Sequence, residues 1–170
     1  MTTTAEDDSL LLALLNTTPV VDGSQLDELA DSAHARAWMT EHSRSATQDW
    51  KHLRATRDAL QAVVRGQRGA GDLQALLGGV VSEPIVSADG VRWDVRVRPA
   101  RRAAVAAILT WAELRASAPG RLKPCENPDC ALFFIDRSHS NVGRWCSMAV
   151  CGNRMKARRH YERRRQAFRP

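Results

Sequence analysis

The sequence predicts an α+β fold: a mainly helical N-terminal domain with one β-hairpin, then a small cysteine-bearing unit that ends in a basic helix. Three observations lead there. Apolar residues recur at helical spacing through most of residues 8–118, and the period changes to two only between Ile85 and Val97. All four cysteines fall between residues 125 and 151.

The chain has 170 residues, 44% hydrophobic and 26% charged, a globular balance that excludes a largely disordered chain. Residues 1–9 are polar and predicted to fray. Leu10, Leu11, Leu14 and Leu15 form a helical stripe that Asn16-Thr17-Thr18-Pro19 ends, and Asp22-Gly23 is a turn. A helix broken near Asp31-Ser32 is expected over Leu26–His42. The longest predicted helix spans Ala46–Val64: Trp50, Leu53, Leu60, Val63 and Val64 share a face, while Lys51, Arg54, Arg57 and Asp58 are expected to stay solvated. A glycine-rich break at Gly66, Gly69 and Gly71 precedes a short helix over Asp72–Leu77. Val91, Trp93, Val95 and Val97 then alternate with charged residues after an Asp89-Gly90 turn, the pattern of a hairpin. Pro99 stops the strand, and Arg101–Ala116 returns to helix with Val105, Ile108, Leu109, Trp111 and Ala112 inward. Trp38, Trp50, Trp93 and Trp111 are all expected in the core, and Pro119-Gly120 is a hinge to the second unit.

Cys125 and Cys130 are separated by four residues, as are Cys146 and Cys151, with fifteen residues between the pairs. Two short-range pairs let two turns aim four sulfurs at one point, as a tetrahedral four-thiolate zinc site requires. A disulfide frame would need an oxidising compartment. The N-terminus opens with Glu6, Asp7 and Asp8 rather than a positive segment, and its longest apolar run, Leu10–Leu15, is too short to span a bilayer. Export is therefore not expected, and a cytoplasmic, nucleoid-associated protein is. His139 lies between the pairs and reads as a surface-loop residue. Leu132–Ile135 reads as a strand and Arg144-Trp145 as the start of a second one, with a helix opening at Cys151-Gly152-Asn153-Arg154 and running to about Gln166. Knuckle, hairpin and ligand-bearing helix make a treble clef. About fifty residues bury too little to fold unaided, so the metal is structural.

Cys125-Glu126-Asn127-Pro128-Asp129-Cys130, Asp136-Arg137-Ser138, Trp145-Cys146-Ser147 and Cys151-Gly152-Asn153-Arg154 resemble, in this order, the motifs of the CGNR zinc finger. Leu14-Leu15-Asn16-Thr17 followed by Asp22-Gly23 resembles the ABATE domain that precedes this finger in stress-induced transcription regulators. The resemblance implies an ABATE-like sensor or dimerisation domain over residues 8–118 and a CGNR-type finger over 121–168. It also implies zinc on Cys125, Cys130, Cys146 and Cys151, a DNA partner, and Asn16 and Thr17 as candidates for binding a small effector. Read as residues alone, Asn16 and Thr17 end a helix.

Net charge is +6, unevenly spread. Residues 121–170 hold twelve Arg/Lys against four Asp/Glu, a net +8, whereas residues 1–120 carry −2. Such a block meets a polyanion. On the last helix, Arg154, Arg158 and Arg165 fall in one stripe and Lys156, Arg159 and Arg163 in a second, while Ala157, Tyr161 and Phe168 face a third direction, toward the finger. The leading expectation is a transcription regulator that binds duplex DNA through Arg154, Lys156, Arg158, Arg159 and Arg163. Alternatives are a protein-interaction adaptor and an RNA binder. No enzyme is expected, because a closed four-thiolate shell leaves no open metal position and no catalytic motif is present.

Overall fold

The structure, a computed structural model, describes residues 5–42 and 49–167. Helix α1 (Ala5–Leu15) begins inside the segment expected to fray, with Glu6, Asp7 and Asp8 in its first turn, where a helix N-terminus favours negative charge. Leu11, Leu14 and Leu15 are buried. The helix ends where predicted, and the Asp22-Gly23 turn, at φ 49° and 79°, joins two short strands, β1 (Val20–Val21) and β2 (Ser24–Gln25). The turn is legible in the sequence; the small hairpin around it is not.

The expected break near Asp31-Ser32 is a helix start. The Asp31 carboxylate accepts hydrogen bonds from the N–H groups of Ala33 (2.8 Å) and His34 (3.0 Å), so α2 covers only Ser32–His42. Helix α3 (Trp50–Val64) is likewise capped by Asp49, whose extended backbone keeps the helix from continuing in the N-terminal direction. The start predicted at Ala46 lies outside the described residues. Arg57, expected in solvent, is 1% exposed. Its guanidinium pairs with Asp27 and Asp58 and donates to Thr17 Oγ1 at 3.1 Å. Gln61, one turn on, donates to Leu15 O and Thr18 Oγ1, both at 2.8 Å. The segment after α1 is thus pinned to α3 by polar groups that a hydrophobic-stripe reading assigns to the outside.

Where a short helix over Asp72–Leu77 is expected, a 3₁₀ segment (Ala70–Leu77) forms, and it starts inside the glycine-rich break so that Gly71 belongs to it. Strands β3 (Val81–Ser87) and β4 (Gly90–Arg96) pair antiparallel, with Pro84 opposite Trp93 and Val86 opposite Val91. Here the core expectation fails: Trp93 is 53% exposed, Val91 61% and Val86 79%, because only the Val95 end of that face lies beside α4 (Arg102–Ser117) and the rest of the two-stranded ribbon stays open to solvent. Trp38 is buried, and Trp50 and Trp111 pack half-buried against the core. In α4, Ala103, Ala104, Val105, Ala107, Ile108, Thr110 and Leu114 are buried; of the residues expected inward, Val105 and Ile108 are buried, Leu109 and Trp111 half-buried and Ala112 exposed. The alanines permit the close approach of α4 to α1.

Beyond the turn at Gly120, β5 (Leu122–Pro124) pairs with β6 (Phe133–Ile135), putting the Cys125–Cys130 knuckle at the hairpin tip. The second strand expected at Arg144-Trp145 does not form. Pairing within one hairpin needs only the short knuckle turn, and the Arg144 carbonyl instead accepts from Glu126 N at 2.9 Å. A π-helical turn (Met148–Gly152) leads into α5 (Asn153–Ala167). One hydrophobic core gathers α1 to α4 and reaches into the finger: Phe133 is 2% exposed within it, and Leu122 and Ile135 pack against it. No described helix is long and apolar enough to cross a membrane.

Candidate metal centre and basic helix

The first sulfur pair is set by an Asx turn. Cys130 N donates to Asn127 O at 2.9 Å, and Asp129 N donates to Asn127 Oδ1 at 3.2 Å, which folds the knuckle back on itself. The second pair is set by the π turn. Gly152 N donates to Ser147 O at 3.0 Å, an i to i+5 bond, and Ser147 Oγ accepts from Val150 N at 3.3 Å. Its wider pitch brings Cys151 back over Cys146.

The four Sγ atoms of Cys125, Cys130, Cys146 and Cys151 all lie within 4.8 Å of one another. Cys130 and Cys146 are 3.8 Å apart, and Cys146 and Cys151 3.7 Å. A tetrahedral zinc ion with Zn–S bonds of about 2.3 Å requires sulfur separations of about 3.8 Å. The residues present therefore fit zinc, and all four cysteines are free thiols rather than disulfides. His139 is exposed and outside the cluster.

N–H groups face the sulfurs: Asn127 Nδ2 donates to Cys151 Sγ at 3.3 Å, Cys146 N donates to Cys125 Sγ at 3.5 Å, and the Leu132 backbone hydrogen-bonds to Cys130. Asn127 is 1% exposed, so one side chain both shapes the first knuckle and supports a sulfur of the second pair. Burial pushes the Cys130 thiol up to about 11, and burial with the neighbouring cysteines raises Cys146. At Cys151 burial acts in the same sense but is outweighed by hydrogen bonds from Asn127 and the other cysteines, which lower its pKa. Gathered without a cation, these thiols would not give up their protons together; a dication makes the thiolate form stable.

The loop between the pairs is held by Asp136, 4% exposed, which accepts from Ser138 N (2.9 Å), Gly143 N (2.6 Å) and Lys123 Nζ (3.0 Å). These donors, Ser138 foremost, hold its carboxyl well below the usual carboxylate range. A Cβ at Gly143 would lie 2.8 Å from that carboxyl carbon, so only glycine lets the chain close over it.

Asn16 and Thr17, the effector candidates, are both engaged in internal hydrogen bonds. Asn16 binds the backbone of β6: its Nδ2 donates to Phe133 O at 3.2 Å and its Oδ1 accepts from Phe133 N at 2.7 Å. Thr17 is buried under Arg57. Arg65, at the end of α3, donates to Ala131 O at 3.1 Å and stacks on the Phe133 ring at 4.4 Å. Arg137 pairs with Asp8 at 3.1 Å. Sequence reasoning missed the docking roles of Asn16 and Arg65 and the support given by Asn127; an asparagine beside a proline in the knuckle was the available signal for the last.

From α5, Arg154, Lys156, Arg158, Arg159 and Arg163 all extend exposed. Arg158 is engaged, with Glu162 at 3.2 Å and Asp129 at 3.9 Å, whereas Lys156, Arg159 and Arg163 have no carboxylate partner among the described residues. Tyr161, expected to turn toward the finger, is 64% exposed, and Ala157 is exposed too, because α5 leaves the metal cluster without packing along another described element. Phe168 lies outside the described residues.

No curated protein matches the chain. Residues 121–164 match the family model of the CGNR zinc finger, so this four-cysteine cluster and most of the helix that leaves it form a CGNR zinc finger.

Proposed function

We propose that the protein is a DNA-binding regulator whose treble-clef finger, folded around a structural zinc, presents α5 to duplex DNA. The observation that carries this reading is α5 itself: seven Arg/Lys against one acid between residues 154 and 165, every described side chain exposed or half-buried. A helix polar on all sides gains nothing from packing against protein and is stabilised by a polyanion laid along it. Lys156, Arg159 and Arg163 form the row free of carboxylates among the described residues, and Arg158 is held back by Glu162 and Asp129. A closed shell of four thiolates leaves the metal no position for water or substrate, which supports a structural rather than catalytic ion.

The test is fluorescence anisotropy with labelled duplex DNA, on zinc-loaded full chain, at two salt concentrations. Steep loss of affinity with salt is expected, and a shallower slope for the Lys156→Gln/Arg159→Gln/Arg163→Gln variant, since each phosphate that no longer meets a cationic side chain keeps roughly one counterion. An unchanged slope in that variant would overturn the reading. A protein partner is the second reading, favoured by Met148 (56% exposed) and Val150 (55%), which put apolar surface beside the root of α5. Capture that survives nuclease treatment and needs these two residues would favour it.

A further inference from the structure

A cavity of about 350 Å³ opens where the helical unit meets the finger. Val64 of α3, Trp111 and Leu114 of α4 and Leu122 of β5 supply its apolar wall, and Arg68 and Arg115 are its charged lining residues. Among the described residues, no acidic side chain lines it. Neither arginine is paired with a carboxylate among the described residues; Arg115 lies over the Trp111 ring at 5.4 Å. The volume is that of a small-molecule site, and an indole wall with two guanidinium groups selects both an apolar body and a negative charge. A second cavity, beside Val95 and Leu109, has Asp7 and Glu113 against Arg102 in its lining and so does not favour an anion.

We propose that the cavity between α3, α4 and β5 binds an amphipathic organic anion, a carboxylate, sulfonate or phosphate ester on an aromatic or branched apolar body. The apolar body lies against Trp111 and Leu114, and the anionic head meets Arg68 and Arg115. Because Leu122 opens the hairpin that carries the first sulfur pair, such a ligand touches the helical unit and the finger at once. This site is separate from α5 and does not depend on DNA binding.

The experiment uses zinc-loaded full chain with anilinonaphthalene sulfonate as fluorescent probe, displaced by 1-naphthoate or by 1-naphthylmethylamine, which share an apolar body and differ in charge. Naphthoate should displace the probe at a concentration about tenfold or more below that of the amine, and Arg68→Gln/Arg115→Gln should remove most of that gap, the scale of a charge-assisted hydrogen bond. The double variant leaves α5 intact, so anion binding on the basic helix would survive it. Ala118→Trp, which fills the cavity from its wall, should abolish probe binding while the circular dichroism of the helices is retained. Equal displacement by the two charges, or unchanged naphthoate affinity in the double variant, would overturn the proposal whether or not Ala118→Trp folds.

Discussion

Asn16, the residue that ends α1, hydrogen-bonds through both its side-chain oxygen and nitrogen to the backbone of Phe133, 117 positions along the chain. The side chain mimics a neighbouring strand on the edge of β6 that β5 leaves open, and with Arg65 it docks the finger on the helical core. Replacing Asn16 by Ala strands a part-buried N–H and carbonyl, at a cost of about 1–3 kcal/mol. Urea unfolding of the zinc-loaded protein should show that loss, and the Phe133 amide should exchange its hydrogen faster than in the wild type. A variant with both quantities unchanged would mean that the hairpin is held by its apolar contacts alone.

The metal cluster depends on a residue that is not a ligand. Asn127 joins the two knuckles by giving one amide N–H to Cys151 Sγ while its carbonyl oxygen turns the first knuckle. Asn127→Ala should weaken zinc binding about 10–100-fold, the usual scale for a group that supports a metal ligand. Cys130→Ser should weaken it further, because it removes a ligand. Competition against a chromophoric chelator measures both, and the ranking is the check: an Asn127→Ala affinity equal to wild type would show that the turn forms without it.

The metal site was legible because cysteine spacing is a local property: each pair sits in one turn, and the segment between them need only return. Most element types were legible for the same reason, through apolar periodicity and the glycine and proline breaks. Misreadings came where long-range geometry decides. Arg57 reads as solvated by helical position, yet Thr17 and Asp27 come from other segments to meet it. The alternation through Val91, Trp93 and Val95 shows that one face of β4 is apolar, but alternation says nothing about whether a layer exists to cover it. Arg144-Trp145 reads as the partner of β6, and β5 takes that place, because a strand's sequence does not name its neighbour.

Arg57 and its two acids should contribute unequally. Asp27 keeps only 23% of its side chain exposed and takes the guanidinium at both oxygens, whereas Asp58 is 56% exposed. Removing Asp27 leaves a buried charge short of its main partner, so Asp27→Ala should cost about 3 kcal/mol. Asp58→Ala breaks an exposed pair and should cost less than about 1 kcal/mol. Thermal and denaturant unfolding of the two variants side by side tests this, and equal losses would show that Thr17 and the surrounding backbone, rather than Asp27, compensate the cation.

His52 gives the helical unit a dependence on pH. It is half-buried on α3 and its Nε2 accepts from Arg101 Nε at 3.1 Å, while Arg101 also holds the Leu76 and Gly78 carbonyls. Burial first, and then the Arg101 charge, lower its pKa below the ordinary 6.5, against the opposing pull of Asp49 and a backbone bond with Leu76. A histidine whose folded pKa is depressed binds fewer protons folded than unfolded in the window below 6.5. Its stabilising contribution is therefore complete above that pH, declines as pH falls toward the folded value, and then levels off. The imidazole resonances of His52 should titrate with a midpoint below 6.5, and His52→Gln should flatten the fall in unfolding midpoint that the wild type shows between neutral and mildly acidic buffer. A midpoint at or above 6.5 would mean that Asp49 and Leu76 outweigh burial and Arg101, and that the Arg101 hydrogen bond is not kept in solution, since a protonated Nε2 cannot accept from Arg101 Nε.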